Sequence, residues 1–516
     1  MDTSQSRLPR RPCQRRVSSY RSLRSLAALG AVAVVALALA GTAFARPGIF
    51  RTGVVDPQSL GGYVGAEFSW LEPGIAYSKT DSVGARLVRI PVYWYRVSPS
   101  TRPGNVANPG AYNWTDFGTD AAIRGALQQG LTPLVQVFVA PSWAECNGQG
   151  FLACPDHPSR DRGVFKVSPV DLGNFMRALS TEYPQLQYFE VWNEPNGKFW
   201  LDDTSKSAML SRYRSMVAES VAALHPSGDK VVAGGLTPVG WFNEANLNRY
   251  TPIQFLKDFL SVSSSAVPDF DVWGVHPYTL GGPTKQSPTL RQDPSYGNSI
   301  WMGDLPKAAG ILNSAKRAGK IPSSTQYWID EFSWDSSPPD NQICINPANG
   351  DRWGATPMNI LTRWTAEADY RAWKAGFSAL IWHQIKDNPS PGPNRPYQGG
   401  LFFAGSNGSV GSEKSATRAF RFPFVAFKRT GGVYVWGIRP WGTSGDVVIQ
   451  RKTRSGWKSV KTLSTNANGI FSKRFSLSIT KSGTLRAKTS TRASAGFALT
   501  APKLRRHIFP FGCQHQ

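Results

Sequence analysis

The 516-residue sequence predicts an α/β fold, a closed (β/α)8 TIM barrel followed by a small C-terminal antiparallel β-sandwich domain. Over residues 46–428, eight short runs rich in Val, Ile, Phe and Tyr alternate with amphipathic stretches, the pattern of strands joined by crossover helices. No Gly-rich phosphate loop follows the first run, which disfavours the alternative of an open doubly wound sheet. Beyond residue 428 the runs become short and are split by Gly, Asn and Ser, as in a sandwich.

The predicted strands are rich in β-branched and aromatic residues, which fit a pleated and buried surface. They cover residues 63–70, 86–94, 132–141, 188–195, 230–238, 270–278, 326–334 and 377–385. Several of the helical patterns between them begin with a Ser, Thr or Asp that suits a helix N-cap. These patterns cover residues 115–130, 168–183, 210–225, 251–264, 304–319 and 360–376.

The predicted segments are a signal peptide at 1–45, the barrel at 46–428, the sandwich at 429–500 and a basic tail at 501–516. The leader has a cationic stretch, then an Ala-rich apolar stretch that ends in the small-x-small pattern Ala43-Phe44-Ala45. An uncleaved membrane anchor is the alternative, because an apolar run of roughly 20 residues just spans a bilayer. We therefore expect a secreted protein, or one anchored at the cell surface if the leader is not cleaved.

The positive charge lies mainly at the two ends of the chain. The net charge is +24, of which residues 1–45 carry +6 and residues 451–516, which lack Asp and Glu, carry +14. The body of the protein is therefore close to neutral, which argues against a nucleic-acid partner. A basic terminal region instead favours contact with an anionic cell wall. We expect a monomer.

Cysteine usage agrees with export. Cys146 and Cys154 flank a seven-residue loop, and their spacing predicts a local disulfide. A metal site is the alternative, but neither a CxxC motif nor His-rich spacing supports it, so we expect no metal. The pairing of Cys344 and Cys513 stays open.

Polar and aromatic side chains follow the ends of several predicted strands. In a (β/α)8 barrel these ends meet at one rim, where the reactive groups lie. Glu194 ends the fourth strand and Glu331 lies near the end of the seventh. Two carboxylates on one rim are the minimum needed to cleave a glycosidic bond, one as an acid and one as a nucleophile. The predicted substrate-binding residues around them are Arg89, Trp143, Asn193, His276, Tyr278 and Trp382.

Each of these residues alone is more often structural, and their joint placement at strand ends is what favours a site. Asn193 is predicted to bind a sugar hydroxyl, and Tyr278 to donate to the nucleophilic carboxylate. Arg89 is predicted to keep that carboxylate ionised. Trp382 is predicted to form a platform beneath the sugar ring.

The motif VWNEPN at the fourth strand, together with IDEFSW at the seventh, resembles glycoside hydrolase clan A, the retaining (β/α)8 glycosidases. The resemblance covers roughly residues 60–428 and is greatest to family 39, with family 5 (cellulase-like) close behind. It implies that Glu194 is the acid/base and Glu331 the nucleophile. It extends to Arg89, His276, Tyr278 and Trp382.

The sequence therefore predicts a secreted retaining glycoside hydrolase that cleaves a β-linked polysaccharide or oligosaccharide without a cofactor. The alternative from another class is a catalytically inactive carbohydrate-binding or cell-wall adhesion protein. A third possibility is transglycosylation, in which a second sugar replaces water. The residues alone do not distinguish hydrolysis from transglycosylation.

Overall fold

The computed structural model begins at residue 46, so the predicted signal peptide lies outside the described residues. It describes residues 46–56, 73–158, 163–240, 250–261, 266–291, 293–345, 350–388, 397–406, 409–504 and 506–510. Residues from 46 onward form one compact unit. Within the described ranges, no helix has the length and apolar character needed to cross a membrane.

Eight parallel strands close into a barrel, which confirms the predicted fold class. Each strand pairs with its neighbours in sequence, and the first pairs with the last to close the ring. The strands are β1 Arg51–Val55, β2 Leu87–Tyr93, β3 Thr132–Phe138, β4 Tyr188–Val191, β5 Lys230–Leu236, β6 Val272–Val275, β7 Gln326–Phe332 and β8 Ala379–His383.

The first strand of the ring differs from the prediction. The predicted strand at 63–70 lies outside the described residues, and β1 completes the ring instead. Gly53 is necessary within β1, because a Cβ atom there would lie 2.7 Å from the Cβ of Leu87. A short run containing Arg, Thr and this glycine lacks the composition by which strands are recognised.

Helices cover the outside of the barrel, and all six helical patterns predicted from sequence form helices. The helices are Pro73–Ser82, Trp94–Val97, Thr119–Gln128, Pro169–Glu182, Lys206–Leu224, Pro252–Leu260, Leu305–Arg317, Met358–Ala375 and Ser415–Arg421. Ser168 caps the helix that begins at Pro169, because its side chain accepts a hydrogen bond from the backbone NH of Asp171 at 3.3 Å.

The barrel interior changes from apolar to charged along the strands. Its buried apolar layer contains Val55, Leu87, Leu134, Tyr188, Val232, Val272, Trp328, Ala379 and Ile381. Side chains two positions apart on a strand point to the same face. Two residues beyond Leu87, Leu134, Tyr188 and Trp328 come Arg89, Gln136, Glu190 and Asp330. A polar layer therefore lies directly above the apolar core, toward the C-terminal ends of the strands.

Antiparallel sheets follow the barrel, in agreement with a small sandwich domain. One contains Phe424–Arg429, Gly432–Ile438 and Ile470–Ser476, and the other contains Asp446–Thr453, Gly456–Ser464, Thr484–Lys488 and Phe497–Ala498. The first strand starts at Phe424, so the predicted boundary after residue 428 falls inside a strand.

Small sheets also form beside the barrel. Ser336–Ser337 pairs with Thr356–Pro357, and Phe402–Ala404 pairs with Val410–Glu413. A third sheet contains Ile343–Ile345, Arg352–Gly354 and His507–Ile508.

This third sheet includes residues 507 and 508 of the predicted basic tail, 501–516. The backbone NH of Gly281 donates to the carbonyl of Ile508 at 2.9 Å, and that of Asp335 donates to the carbonyl of Pro510 at 2.6 Å. Gly281 and Asp335 lie in the segments that follow β6 and β7. The end of the described chain is therefore fixed to the same end of the barrel as the polar layer.

The predicted disulfide between Cys146 and Cys154 is absent from the structure, where both are free thiols. The two side chains are in contact, and the pKa of Cys146 is raised by burial and by a hydrogen bond with Cys154. Proximity was therefore predicted correctly and the covalent bond was not. Cys344 is disulfide-bonded, and its partner lies outside the described residues.

Candidate active site

Glu331 lies in β7, and side chains from β2 and from the segment after β6 hold its carboxylate. Arg89 Nη1 donates to Oε2 at 2.6 Å, and the hydroxyl of Tyr278 donates to Oε1 at 2.9 Å. Burial by itself raises the pKa of Glu331, but the charges of His276 and Arg89 lower it to about 2. Glu331 is therefore an ionised carboxylate with both oxygens fixed, as the sequence predicted for Arg89 and Tyr278.

Glu194 lies in the turn that follows β4, and its side chain is 18% exposed. Its Oε1 is 2.9 Å from Nδ1 of His276, just beyond the end of β6. Its backbone is left-handed, with φ of +43°, and that of Trp192 has φ of +74°. Non-glycine residues seldom adopt this conformation, and where they do they often mark functional sites. The strained turn directs Glu194 toward His276.

His276 is almost completely buried between acidic side chains. Burial lowers the pKa of His276, but Glu331, Glu194 and Asp330 raise it to about 9 overall. The ring is therefore an imidazolium at neutral pH, and its Nδ1–H donates to Glu194. Its Nε2 faces Oδ1 of Asp330 at 3.6 Å.

One hydrogen-bond network connects the surroundings of the two glutamates. Besides contacting Glu331, Arg89 donates through Nη2 to Oδ1 of Asn193 at 3.2 Å. Gln136 Nε2 donates to the same oxygen at 2.7 Å. Asn193 directly precedes Glu194, so Arg89 couples Glu331 on β7 to the turn that carries Glu194. The structure thus brings together Arg89, Asn193, Glu194, His276, Tyr278 and Glu331.

Two further buried carboxylates, Glu190 and Asp330, lie at this network, and the sequence analysis assigned them no role. Glu190 accepts from Arg89 Nε and Nη2, each at 2.6 Å. Burial and the charge of Glu190 raise the pKa of Asp330 to about 7. Each interrupts an otherwise apolar strand, and that interruption is the signal that could have identified them.

Replacing Arg89 by methionine should lower the free energy of unfolding by about 3–5 kcal/mol, because Glu190 would stay buried without its partner. Chemical denaturation measures this directly. The control is Arg86→Met, since Arg86 contacts Asp81 at 3.1 Å with both side chains more than a third exposed. That variant should lose less than about 1 kcal/mol. Equal losses in the two variants would contradict the structural role of Arg89.

Glu190, His276 and Asp330 also form a group of potential metal ligands, with ligand atoms within 4.8 Å of one another. Both oxygens of Glu190, however, accept short hydrogen bonds from Arg89. A guanidinium at this position repels a second cation, and the imidazolium of His276 adds to the repulsion. The chemistry of these residues therefore suits an ionic network built around Arg89.

Two predicted substrate-binding tryptophans lie elsewhere. Trp382 is 1% exposed and packs against Phe332, Trp334 and Phe420, so it offers no face to a ligand. Trp143 is also buried, and its ring packs edge-on against Trp94 at 5.5 Å. Both predictions are corrected, because these rings fill the core around the barrel.

His383 and Tyr397 occupy the region where a platform was expected, and sequence reasoning missed both. On β8, Ala379 and Ile381 face the interior, so the strand period places His383 there too. Its ring meets that of Tyr397 edge-on at 4.8 Å. Burial raises the pKa of Tyr397, and the charges of Glu331 and Glu194 raise it further. Tyr397 therefore lies close enough to both glutamates for their charges to affect its pKa. It belongs to a loop, where no periodic pattern marks it.

No protein-family model matches the chain, and no curated protein matches it. Among solved structures, the chain is similar to a family 39 glycoside hydrolase from Bacteroides cellulosilyticus, with 12% identity, a TM-score of 0.48, and coverage of 83% of this chain and 81% of that one. It is similar to a family 39 enzyme from Xanthomonas axonopodis pv. citri, with 14% identity, a TM-score of 0.42, and coverage of 86% and 94%. It is also similar to a monomeric β-xylosidase from Caulobacter crescentus, with 14% identity, a TM-score of 0.43, and coverage of 84% and 95%.

At such identities no residue role is transferred from those proteins to this chain. The chemistry of the site is inferred from its own side chains.

Proposed function

We propose that the protein is a retaining glycoside hydrolase that cleaves β-linked polysaccharides or oligosaccharides by double displacement. This proposal is supported by one observation: Glu194 and Glu331 are connected by one hydrogen-bond network but lie in different environments. Glu331 is ionised and held through both oxygens, as a nucleophile requires. Glu194 is partly exposed and hydrogen-bonded to His276, as a group that exchanges protons with a substrate and water requires.

In the first step, an oxygen of Glu331 attacks the anomeric carbon and forms a glycosyl ester. The bond from that carbon to the leaving oxygen breaks as Glu194 gives this oxygen its proton. In the second step, Glu194 takes a proton from water, and the water oxygen attacks the anomeric carbon. The ester bond breaks, and Glu331 returns to its carboxylate form. Two inversions give net retention.

The alternative of an inactive carbohydrate-binding or adhesion protein is favoured by the outer faces of the C-terminal sheets. Their exposed side chains are strongly basic and would suit an anionic cell-wall polymer. They include Lys428, Arg429, Lys458, Lys461, Lys473, Arg474 and Lys488. In both proposals the protein is exported through its leader, residues 1–45.

A substrate panel tests the proposal. The full chain is incubated with aryl β-glycosides and with β-glucan, xylan, mannan and an anionic cell-wall fraction, and proton NMR follows the first product. We expect turnover of at least one β-linked substrate with the β-anomer appearing first. An α-anomer appearing first would contradict the retaining mechanism. Transfer products with added acceptor would indicate transglycosylation. Salt-sensitive co-sedimentation without turnover would favour the inactive alternative.

A further inference from the structure

A continuous set of five aromatic side chains, here called the aromatic arc, runs across the ends of β2, β3 and β4. Tyr95 and Tyr93 meet at 6.4 Å between ring centroids, and Tyr93 meets Phe138 at 4.6 Å. Phe138 meets Trp200 at 5.8 Å, and Trp200 meets Phe199 at 5.1 Å. These residues lie in β2, β3 and the segments that follow β2 and β4, so the arc belongs to the rim that holds Glu194.

The arc is exposed at both ends. Phe199 is 63% and Tyr95 40% exposed, whereas Phe138 in the middle is buried. Large apolar side chains that remain exposed beside a polar site often mark a binding surface. Ring contacts connect the exposed Phe199 and Tyr95 to the buried Phe138, so the aromatic arc is a rigid surface before a ligand binds.

Short backbone contacts fix the arc to Glu194. The NH of Gly197 donates to the carbonyl of Glu194 at 2.8 Å, and the NH of Trp200 donates to the carbonyl of Gly197 at 2.9 Å. The carbonyl of Trp200 accepts from the indole of Trp192 at 2.6 Å. Phe199 and Trp200 therefore belong to the same hydrogen-bonded turn as Glu194, and their position relative to its carboxylate is set by that turn.

The location of the arc relative to Glu194 indicates which part of a substrate would bind to it. Tyr278, His383 and Tyr397 come from the β6 to β8 side and lie near Glu331, whereas Arg89 reaches Glu331 from within the barrel. The proton donor of a glycosidase touches the leaving oxygen, so the leaving group extends past this donor and away from the nucleophile. The arc lies on that side, next to Glu194.

The chemistry of the arc suits sugar rings. Aromatic faces pack against the apolar C–H faces of a pyranose. Charged side chains lie at the edge of the arc: Arg96 Nε donates to the hydroxyl of Tyr95 at 2.9 Å, and its guanidinium lies 5.2 Å from that ring. Lys198, beside Phe199, is almost half exposed and lies 3.6 Å from Oδ1 of Asp202.

We infer that the aromatic arc is a binding site for the leaving-group side of an extended β-linked saccharide, so that the substrate is a chain of several sugars. This inference rests on the proposed function and adds to it the surface that binds the leaving-group side of the substrate. Sugar units beyond the scissile bond stack first on Trp200 and Phe199, and later units reach Tyr95.

Calorimetric binding tests this inference separately from catalysis. The full chain carrying Glu331→Ala, which does not consume the ligand, is titrated with cello-, xylo- and mannohexaose and with the matching disaccharides. We expect one hexaose to bind at least about tenfold more tightly than its disaccharide. Adding Phe199→Ala and Tyr95→Ala should remove most of this preference, since each lost stacking contact is worth a few-fold in affinity.

The matched control is Trp457→Ala. Trp457 is a half-buried aromatic residue of the C-terminal sheets, with Arg486 4.2 Å above its ring. This change should leave the preference for the hexaose intact. The inference is overturned if no hexaose is preferred, if the double variant keeps the preference, or if Trp457→Ala removes it equally. Hydrolysis by the unaltered protein is scored separately, so a failure of the proposed function is distinguishable from a failure of the arc.

Discussion

Replacing Glu331 by alanine should lower kcat on every β-linked substrate by about four orders of magnitude or more, because the nucleophile is removed. Of the other described carboxylates of this network, Glu190 is engaged by Arg89 through both oxygens, and Asp330 faces Nε2 of His276 at 3.6 Å. Azide should restore turnover by entering the space left by the side chain. It attacks the anomeric carbon directly while Glu194 protonates the leaving oxygen. The product should therefore be an α-glycosyl azide, of inverted configuration.

Two comparisons make this result specific to the nucleophile. Glu331→Gln keeps the size of the side chain and should be similarly inactive. Glu182→Ala removes a glutamate that is 30% exposed at the end of a surface helix, and this variant should keep normal kcat. The assignment would be wrong if Glu331→Ala retained more than about a tenth of normal turnover on a natural substrate, because losing a nucleophile costs far more.

Replacing Glu194 by alanine should produce an effect that depends on the leaving group. A poor leaving group such as a sugar alcohol needs the proton that Glu194 supplies, so kcat on oligosaccharides should fall by about three orders of magnitude or more. A dinitrophenyl leaving group needs no proton, so formation of the glycosyl ester should stay fast. Azide should then attack that ester and give a β-glycosyl azide, of retained configuration.

The measurement is the ratio of kcat/KM for dinitrophenyl and oligosaccharide substrates, with Glu182→Ala as the control. In the control this ratio should equal that of the unaltered protein. If Glu194→Ala lowered kcat/KM by the same factor on both substrates, Glu194 would act on structure or binding. That result would contradict the acid/base role. The azide products of the two variants should have opposite configurations at the anomeric carbon. Each product would then identify the role of the glutamate that was replaced.

Most of the barrel could be predicted from sequence because buried parallel strands and amphipathic helices leave strong periodic signals. β1 could not be found in this way, since Gly53 is present for close approach to Leu87 and weakens the strand pattern. The return of residues 507–510 to the barrel was also missed. It depends on long-range backbone pairing, which composition does not encode.

The core of the site could be predicted because strand ends of a barrel converge, and this placed Arg89, Glu194 and Glu331 together. The sequence could not decide which of two adjacent residues faces the cleft. Counting along β8 from Ala379 and Ile381 places His383 in the interior and Trp382 on the opposite face, but the sequence alone does not show which face of β8 is the interior. His383 therefore points inward and Trp382 points into the core.

The pairing of Gly281 with Ile508 and of Asp335 with Pro510 affects how the protein becomes active. These contacts join residues that are far apart in the chain, and such contacts form late because ordering a long loop is costly. The ribosome releases residues 507–510 only after all strands of the barrel have been synthesised. We therefore expect the loops beyond β6 and β7 to reach their final positions only after residue 510 has emerged, so a nascent chain stalled before residue 507 would have a folded barrel with an unfinished rim.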